Sequence, residues 1–411
     1  MKVIKVLMTI IGIGLINHTN AQPLDSILMR VVENNGELKS LQLEFEAELL
    51  RVDQVSQLPD PQLGVGVPIL RPETRLGPQT IMVSASQMFP WFGTLKSKED
   101  VVISMSKAKF EQVEAKRLVL FNQVKNAYYK LQFLNEKEEI LTDILSQLNI
   151  LKNVSLANVE SGKASSTNVL RIQLKIDDLN NTLDKTEQEK EKEYAVINGI
   201  TRQRWSNVIR TEGEMELPLM TFDLEVYQKR IQSDFPMIRM LDMQKEASLN
   251  RLEVNRKMGA PKFGIGLDYA LVNERVDMNP ANNGRDILVP KVMVSVPIYR
   301  KAYKSKEKEE LLIQESLDFS KEQLVAELLS ILIQYKTEYD IAVLDKNLAQ
   351  RQIETSTLVY NMLIKDYSST GKGFDELLEV QLQMLNYKLQ EKQSLLNAKI
   401  ALSNIERITD Y

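Results

Sequence analysis

The sequence predicts a mainly α-helical protein with a small β part, in which duplicated long helical hairpins form coiled coils and four short strands contribute to a membrane barrel. Three observations predict it. Two stretches, Leu95 to about Glu160 and Lys301 to Ser369, contain neither proline nor glycine. Two short hairpins of alternating hydrophobicity interrupt this charged, helix-forming sequence. The elements of the first half then return in the same order in the second.

At the N-terminus, a basic stretch from Met1 to Lys5 leads into the apolar run Val6 to Ile16 and the small residues Asn20 and Ala21, the form of a signal peptide over residues 1–21. A membrane anchor is the other reading of that run, but about eleven apolar residues fall short of the about 20 that a bilayer core needs. The mature chain is expected to begin near Gln22, outside the cytoplasm.

Composition narrows the chemistry. His18, the only histidine, lies within that leader, and there is no cysteine. The mature chain is therefore expected to lack the usual general base, the Ser-His-Asp and Cys-His arrangements, structural zinc and disulfides. No metal site, cofactor or enzymatic activity is expected. The formal charge of −4, about −6 once Lys2 and Lys5 are removed, offers no basic excess for nucleic acid. After the leader no run of 18 apolar residues occurs, so a membrane crossing has to be made by strands.

The repeat is carried by specific segments. Pro59 to Val67 matches Gly259 to Leu267, Ile81 to Ser84 matches Val292 to Ser295, and Ser161 to Ala164 matches Thr370 to Gly373. The chain is thus read as a first repeat over 22–210, a linker over 211–218 and a second repeat over 219–411. Hairpins are expected at about 62–88 and 262–298, with helical turns near 161–165 and 370–373.

Each expected strand has two unlike faces. Leu63, Val65, Val67 and Ile69 alternate with Gln62, Gly64 and Gly66, while Ile81, Val83 and Ala85 alternate with Thr80, Ser84 and Ser86. Phe263, Ile265, Leu267 and Tyr269 oppose Gly264, Gly266 and Asp268, and Val292, Val294, Val296 and Ile298 oppose Lys291, Met293 and Ser295. Lipid outside and water inside a barrel demand this alternation, which assigns Thr80, Ser84, Asp268, Lys291 and Ser295 to the lumen. Two hairpins on a soluble core would alternate too; the long flanking helices favour the barrel. Four strands cannot close one, because the smallest membrane barrels have about eight, so several copies are required.

The proline-free and glycine-free stretches would each run on the order of 100 Å at about 1.5 Å per residue. Leu141, Leu145 and Leu148, and Leu328, Leu332, Tyr335 and Tyr339, recur at coiled-coil spacing. The 16 methionines are read as packing. Phe89 to Phe92 fit either an interfacial aromatic belt or the core of a strand-to-helix bend.

In this order, Pro59 to Gly66, the closing segment Gln87 to Gly93, and the two turns Ser161 to Leu170 and Thr370 to Glu379 resemble the TolC family of outer-membrane efflux proteins, in particular its heavy-metal branch. The resemblance spans essentially the whole mature chain. It implies an outer-membrane homotrimer with a 12-stranded barrel in the lipid and a periplasmic helical tunnel, acting as a passive exit duct. Its partners would be a periplasmic adaptor and an inner-membrane pump of the resistance-nodulation-division class. By the same match Gly162, Lys163, Ser165, Gly371 and Lys372 would dock the adaptor, and Glu376 and Glu379, with Asp375 nearby, would form an acidic ring at the aperture. Asn168 stands where the family prefers Asp, and Arg171 follows, so no second ring is expected. The other reading kept is a secreted coiled-coil structural or adhesin protein without a pore.

Overall fold

The computed structural model describes residues 23–217 and 220–410. The expected leader, with His18, lies outside the described residues. Of the described residues 71% are helical, and a small antiparallel sheet completes the fold.

Two helices, α1 (Leu24–Asn34) and α2 (Gly36–Val55), lead into β1 (Gln62–Gly66), β2 (Glu73–Thr74) and β3 (Gly77–Phe89). The 67-residue α3 (Thr94–Glu160) and the returning α4 (Ser166–Ile200) follow. The same order then recurs as α5 (Leu224–Asp234), α6 (Pro236–Met258), β4 (Lys262–Val272), β5 (Ile287–Ser295), the 71-residue α7 (Arg300–Thr370) and α8 (Phe374–Thr409).

Local chemistry sets these boundaries. The Asp223 carboxylate accepts from the backbone N–H of Glu225 and Val226 at 3.0 and 3.2 Å, capping α5. Pro236 occupies the first turn of α6, where its missing N–H costs nothing. With no helix breaker inside them, α3 and α7 run as far as the expected stretches.

The strands are shorter than expected in two places. Val67 and Ile69 lie beyond β1, which ends before Pro68, and Val296 and Ile298 lie beyond β5, which ends before Pro297. Pairing ends two residues before each of these prolines, which have no N–H to extend a ladder, although Pro290 is accommodated within edge strand β5 opposite Leu267. A fifth strand, the two-residue β2, was not expected; it pairs with the start of β3. The sheet order is β1-β3-β4-β5, antiparallel throughout, leaving β1 and β5 as edges.

The described residues fall into two compact units that do not follow the two halves of the sequence: 23–35, 121–217 and 338–403 in one, and 36–120, 220–337 and 404–410 in the other. In the first unit the core joins four helices. Leu141, Ile144, Leu148 and Leu151 of α3 meet Ile172, Ile176 and Leu179 of α4, Tyr367 of α7, and Phe374, Leu377, Leu378 and Leu385 of α8. Leu145, expected on the same seam, is partly buried against this cluster. The second unit holds the sheet and a core of Ile231, Phe235, Ile238, Leu328, Leu332, Ile405 and Ile408, with Tyr335 packed on it. No described helix is long and apolar enough to cross a membrane.

Candidate functional site

Register gives the sheet two distinct faces. Val83 pairs with Tyr269, Ala85 with Leu267 and Phe89 with Phe263, while Phe263 and Ile265 continue to Val294 and Val292 on β5. Leu63 and Val65 of β1 join the same face opposite Ala85 and Val83. It is apolar and uncovered: Leu63 is 80% exposed, Val65 75% and Val292 78%. Such a continuous apolar surface marks contact with lipid or another protein.

The opposite face is small and polar. Ser84 pairs with Asp268 and Gly64, Lys291 with Gly266, and Ser295 with Lys262. Lys291 Nζ lies 2.6 Å from Asp268 Oδ1. Four of the five residues assigned to the lumen are thereby on one face. Thr80 is the exception: it falls at the register shift between Gln79 and Ile81, where its hydroxyl donates to the Leu271 carbonyl at 3.3 Å. A bulge re-aims the extra residue, and period-2 counting cannot see one.

The exits of the strands explain the aromatic run. Trp91 stacks on Phe263 with ring centroids 5.9 Å apart, and Thr94 Oγ1 donates to the Trp91 carbonyl at 2.7 Å, opening α3. Phe92 is 81% exposed. Trp91 thus packs at the bend while Phe92 does not.

The helix-tip turns form the second candidate region. In the first turn Gly162 has φ +74°, and the Lys163 N–H donates to the Asn158 carbonyl at 2.8 Å, closing the end of α3. Ser165 caps α4, its side chain accepting from the Thr167 N–H at 3.2 Å. In the second turn Gly371 and Gly373 have φ +71° and +77°. The two turns touch: a Cβ on Gly371 would lie 2.8 Å from the Lys163 carbonyl oxygen. Lys163 and Lys372 are exposed, and neither makes an ion pair among the described residues.

Beneath the turns, Tyr367 is fully buried and its hydroxyl is 2.9 Å from Ser155 Oγ, while its carbonyl accepts from Asn158 Nδ2 at 3.3 Å. Its ring packs against Phe374, centroids 5.8 Å apart. Glu376 and Glu379 are exposed and share one face of α8. Asp375 is not free: it is paired with Arg171 of α4, whose guanidinium also lies over the Phe374 ring at 5.5 Å. Arg171, at the position expected to preclude a second acidic ring, therefore pairs with an acid expected near the first, a contact over 204 residues with no local signature.

Among the described residues no group of three or more His, Cys, Asp or Glu side chains is arranged to hold a metal ion.

No curated protein matches the chain. Residues 27–195 match the outer membrane efflux protein family. Among solved structures the chain is similar to the outer-membrane channel OprN, with 15% identity and a TM-score of 0.74 over 94% of this chain and 89% of that one. It is also similar to the outer membrane protein VceC of Vibrio cholerae, with 11% identity and a TM-score of 0.71 over 94% and 95% of the two chains. The CmeC outer membrane channel of Campylobacter jejuni is a third, with 13% identity and a TM-score of 0.71 over 95% and 86%. Residues 27–195 thus resemble the outer membrane efflux protein family, and the described chain shares the fold of these outer-membrane channels.

Proposed function

We propose that the chain is one subunit of an outer-membrane efflux channel, a passive duct through which cargo leaves under the drive of an inner-membrane pump linked by a periplasmic adaptor. The observation that carries the reading is the sheet: one apolar uncovered face, one small and polar face, and two unpaired edges. An unpaired edge in lipid leaves backbone groups without partners, each at a cost of several kcal/mol, so β5 of one copy pairs with β1 of the next. Three copies of the four longer strands give 12, a number that closes a barrel. Helices with exposed apolar side chains, such as Ile341, Leu344 and Leu348 on α7, suit association along their length as well. The two halves are read as an ancient duplication joined by the linker 211–218.

Within that assembly Gly162, Lys163, Ser165, Gly371 and Lys372 present the turns to the adaptor. Glu376 and Glu379, six carboxylates in a trimer, form the acidic ring, whose negative potential draws cations and resists close approach. The lumen carries Ser84, Asp268, Lys291 and Ser295. The pump is assigned to the resistance-nodulation-division class by resemblance.

The test is conductance in a planar bilayer of protein purified from outer membranes, for wild type and for Glu376→Gln with Glu379→Gln. Discrete cation-selective steps that lose selectivity in the double variant support both channel and ring. Equal conductance in both removes the ring assignment and keeps the channel. A protein that extracts without detergent and never conducts is the secreted coiled-coil protein instead.

A further inference from the structure

The four segments joining strands to helices, residues 56–62, 89–100, 255–262 and 296–304, carry eight Lys and Arg against three Asp and Glu, in a chain of net charge −4. The loops at the other end of the strands, 67–79 and 273–286, carry four of each. The positive excess is thus confined to the helix end of the sheet.

Three of these cations share one cleft. Arg256, Arg300 and Lys304 line a cavity of about 530 Å³ between the end of α6 and the start of α7. Arg300 Nη1 donates to the Gly259 carbonyl at 2.7 Å, which ties the two exits together and uses one of its five donors. The Arg256 side chain is 82% exposed, with Glu253 3.6 Å away, and Lys304 makes no ion pair among the described residues. Leu249, Leu252 and Tyr303 give the cleft an apolar wall. Glu253 and Glu307 add two carboxylates to the same cleft.

The position of this cleft against the apolar surface says what meets it. From Leu288 to Tyr299 the chain carries a single charge, Lys291, which belongs to the polar face. Val296, Ile298 and Tyr299 are 57, 70 and 83% exposed, and the next residues are Arg300 and Lys301. A strand that leaves lipid passes aromatic and then cationic residues at headgroup depth. A free anion needs no such apolar border.

We propose that this cleft binds the headgroup of an aminophospholipid, its phosphate on Arg256, Arg300 and Lys304 and its ammonium on Glu253 and Glu307. The proposal rests on the membrane reading above. Guanidinium groups take phosphate oxygens in paired, charge-assisted hydrogen bonds, and the two carboxylates distinguish an ammonium-bearing headgroup from a purely anionic one.

The test is native mass spectrometry of the assembled protein after reconstitution with phosphatidylethanolamine, phosphatidylglycerol or phosphatidylcholine. Wild type is expected to retain phosphatidylethanolamine in preference to the other two. Arg256→Gln with Lys304→Gln, and separately Arg300→Gln, should lower retention by about tenfold, the effect of losing ~1.4 kcal/mol. Lys96→Gln with Lys98→Gln, which removes the same charge elsewhere in the basic segments, should retain lipid as wild type does. Equal loss in that control, or undiminished retention in the cleft variants, overturns the site. So does complete displacement of the lipid by millimolar inorganic phosphate, which would make it a simple anion site. Conductance is scored separately: a wild type that never conducts defeats the channel reading, while the mass spectra still decide the cleft.

Discussion

Lys291 of β5 lies across Gly266 of β4 and sets its ammonium 2.6 Å from the Asp268 carboxylate. The crossing depends on the missing side chain, since a Cβ on Gly266 would stand 2.7 Å from Lys291 Cε. Gly264 serves Met88 and Met293 in the same way, since a Cβ there would meet Met88 Sδ and stand 3.0 Å from Met293 Cε. Glycines on the polar face thus let long side chains lie flat against the sheet.

If that face lines a duct, the pair is electrically neutral only while both members are present. Asp268→Asn leaves an unbalanced ammonium and is expected to move the reversal potential toward anions; Lys291→Gln should move it toward cations. A change of roughly two- to tenfold in permeability ratio, ~0.4 to 1.4 kcal/mol, is the scale expected. Reversal potentials under a salt gradient check this. Shifts of the same sign in the two variants would reject it.

The Arg171–Asp375 pair predicts a change at the helix tips. Arg171→Ala releases the Asp375 carboxylate beside exposed Glu376 and Glu379, making three uncompensated acids in the first two turns of α8. Cation selectivity should rise, and more so at low salt, because exposed charges are screened within about 10 Å at 0.1 M. Selectivity unchanged between low and high salt would count against this. Arg171→Lys keeps the charge but not the flat guanidinium over Phe374, and is expected to restore only part of the effect.

Two substitutions separate hydrogen bonding from backbone geometry at the turns. Tyr367→Phe keeps the ring and leaves buried Ser155 without its partner, a loss of about 1 kcal/mol. Gly371→Ala both strains a φ of +71° and drives a Cβ to 2.8 Å from the Lys163 carbonyl, at a cost of about 1–2 kcal/mol or more. Limited proteolysis at the turns should therefore quicken more for Gly371→Ala than for Tyr367→Phe. The reverse order would mean that the turns are held by the tyrosine instead.

The long helices were legible because the absence of breakers is a local property: α3 and α7 begin within one residue of the expected stretches. The turn glycines were legible for the same reason, since an αL position selects glycine wherever the helix has to end. The strand faces followed from alternation, but the alternation runs past Gly66 and Ser295, where pairing ends, and the bulge at Thr80 breaks the counting rule itself. Loop structure was less accessible. The Arg275 N–H donates to Asn283 Oδ1 at 2.8 Å and the Gly284 N–H to the Leu76 carbonyl at 2.9 Å, so the loops 70–79 and 273–286 are ordered by contacts that breaker residues do not announce. Arg171–Asp375 and the Arg256, Arg300 and Lys304 cleft join residues from distant stretches, and periodicity carries no information about such meetings.

Glu310 supplies a prediction in pH. Its side chain is fully buried, yet it accepts from Arg251 Nε at 2.9 and 3.0 Å, from Ser248 Oγ at 2.7 Å and from Lys306 at 2.9 Å. Burial pushes its carboxyl upward, but the bonds from Lys306, Ser248 and Arg251 and the Arg251 charge outweigh it, and the net shift is below the ordinary glutamate range. A carboxylate with a depressed folded value contributes stability that is fully present above its unfolded pKa, about 4.3, and is lost as pH falls through the lower folded value. Glu310→Gln leaves Arg251 and Lys306 facing a neutral group, so it should cost about 3 kcal/mol at neutral pH. The gap between wild type and variant should then narrow below about pH 4.3. Denaturant midpoints of both proteins between neutral pH and acid check this. A gap that stays constant through the acid range would show that Glu310 contributes by shape and packing alone.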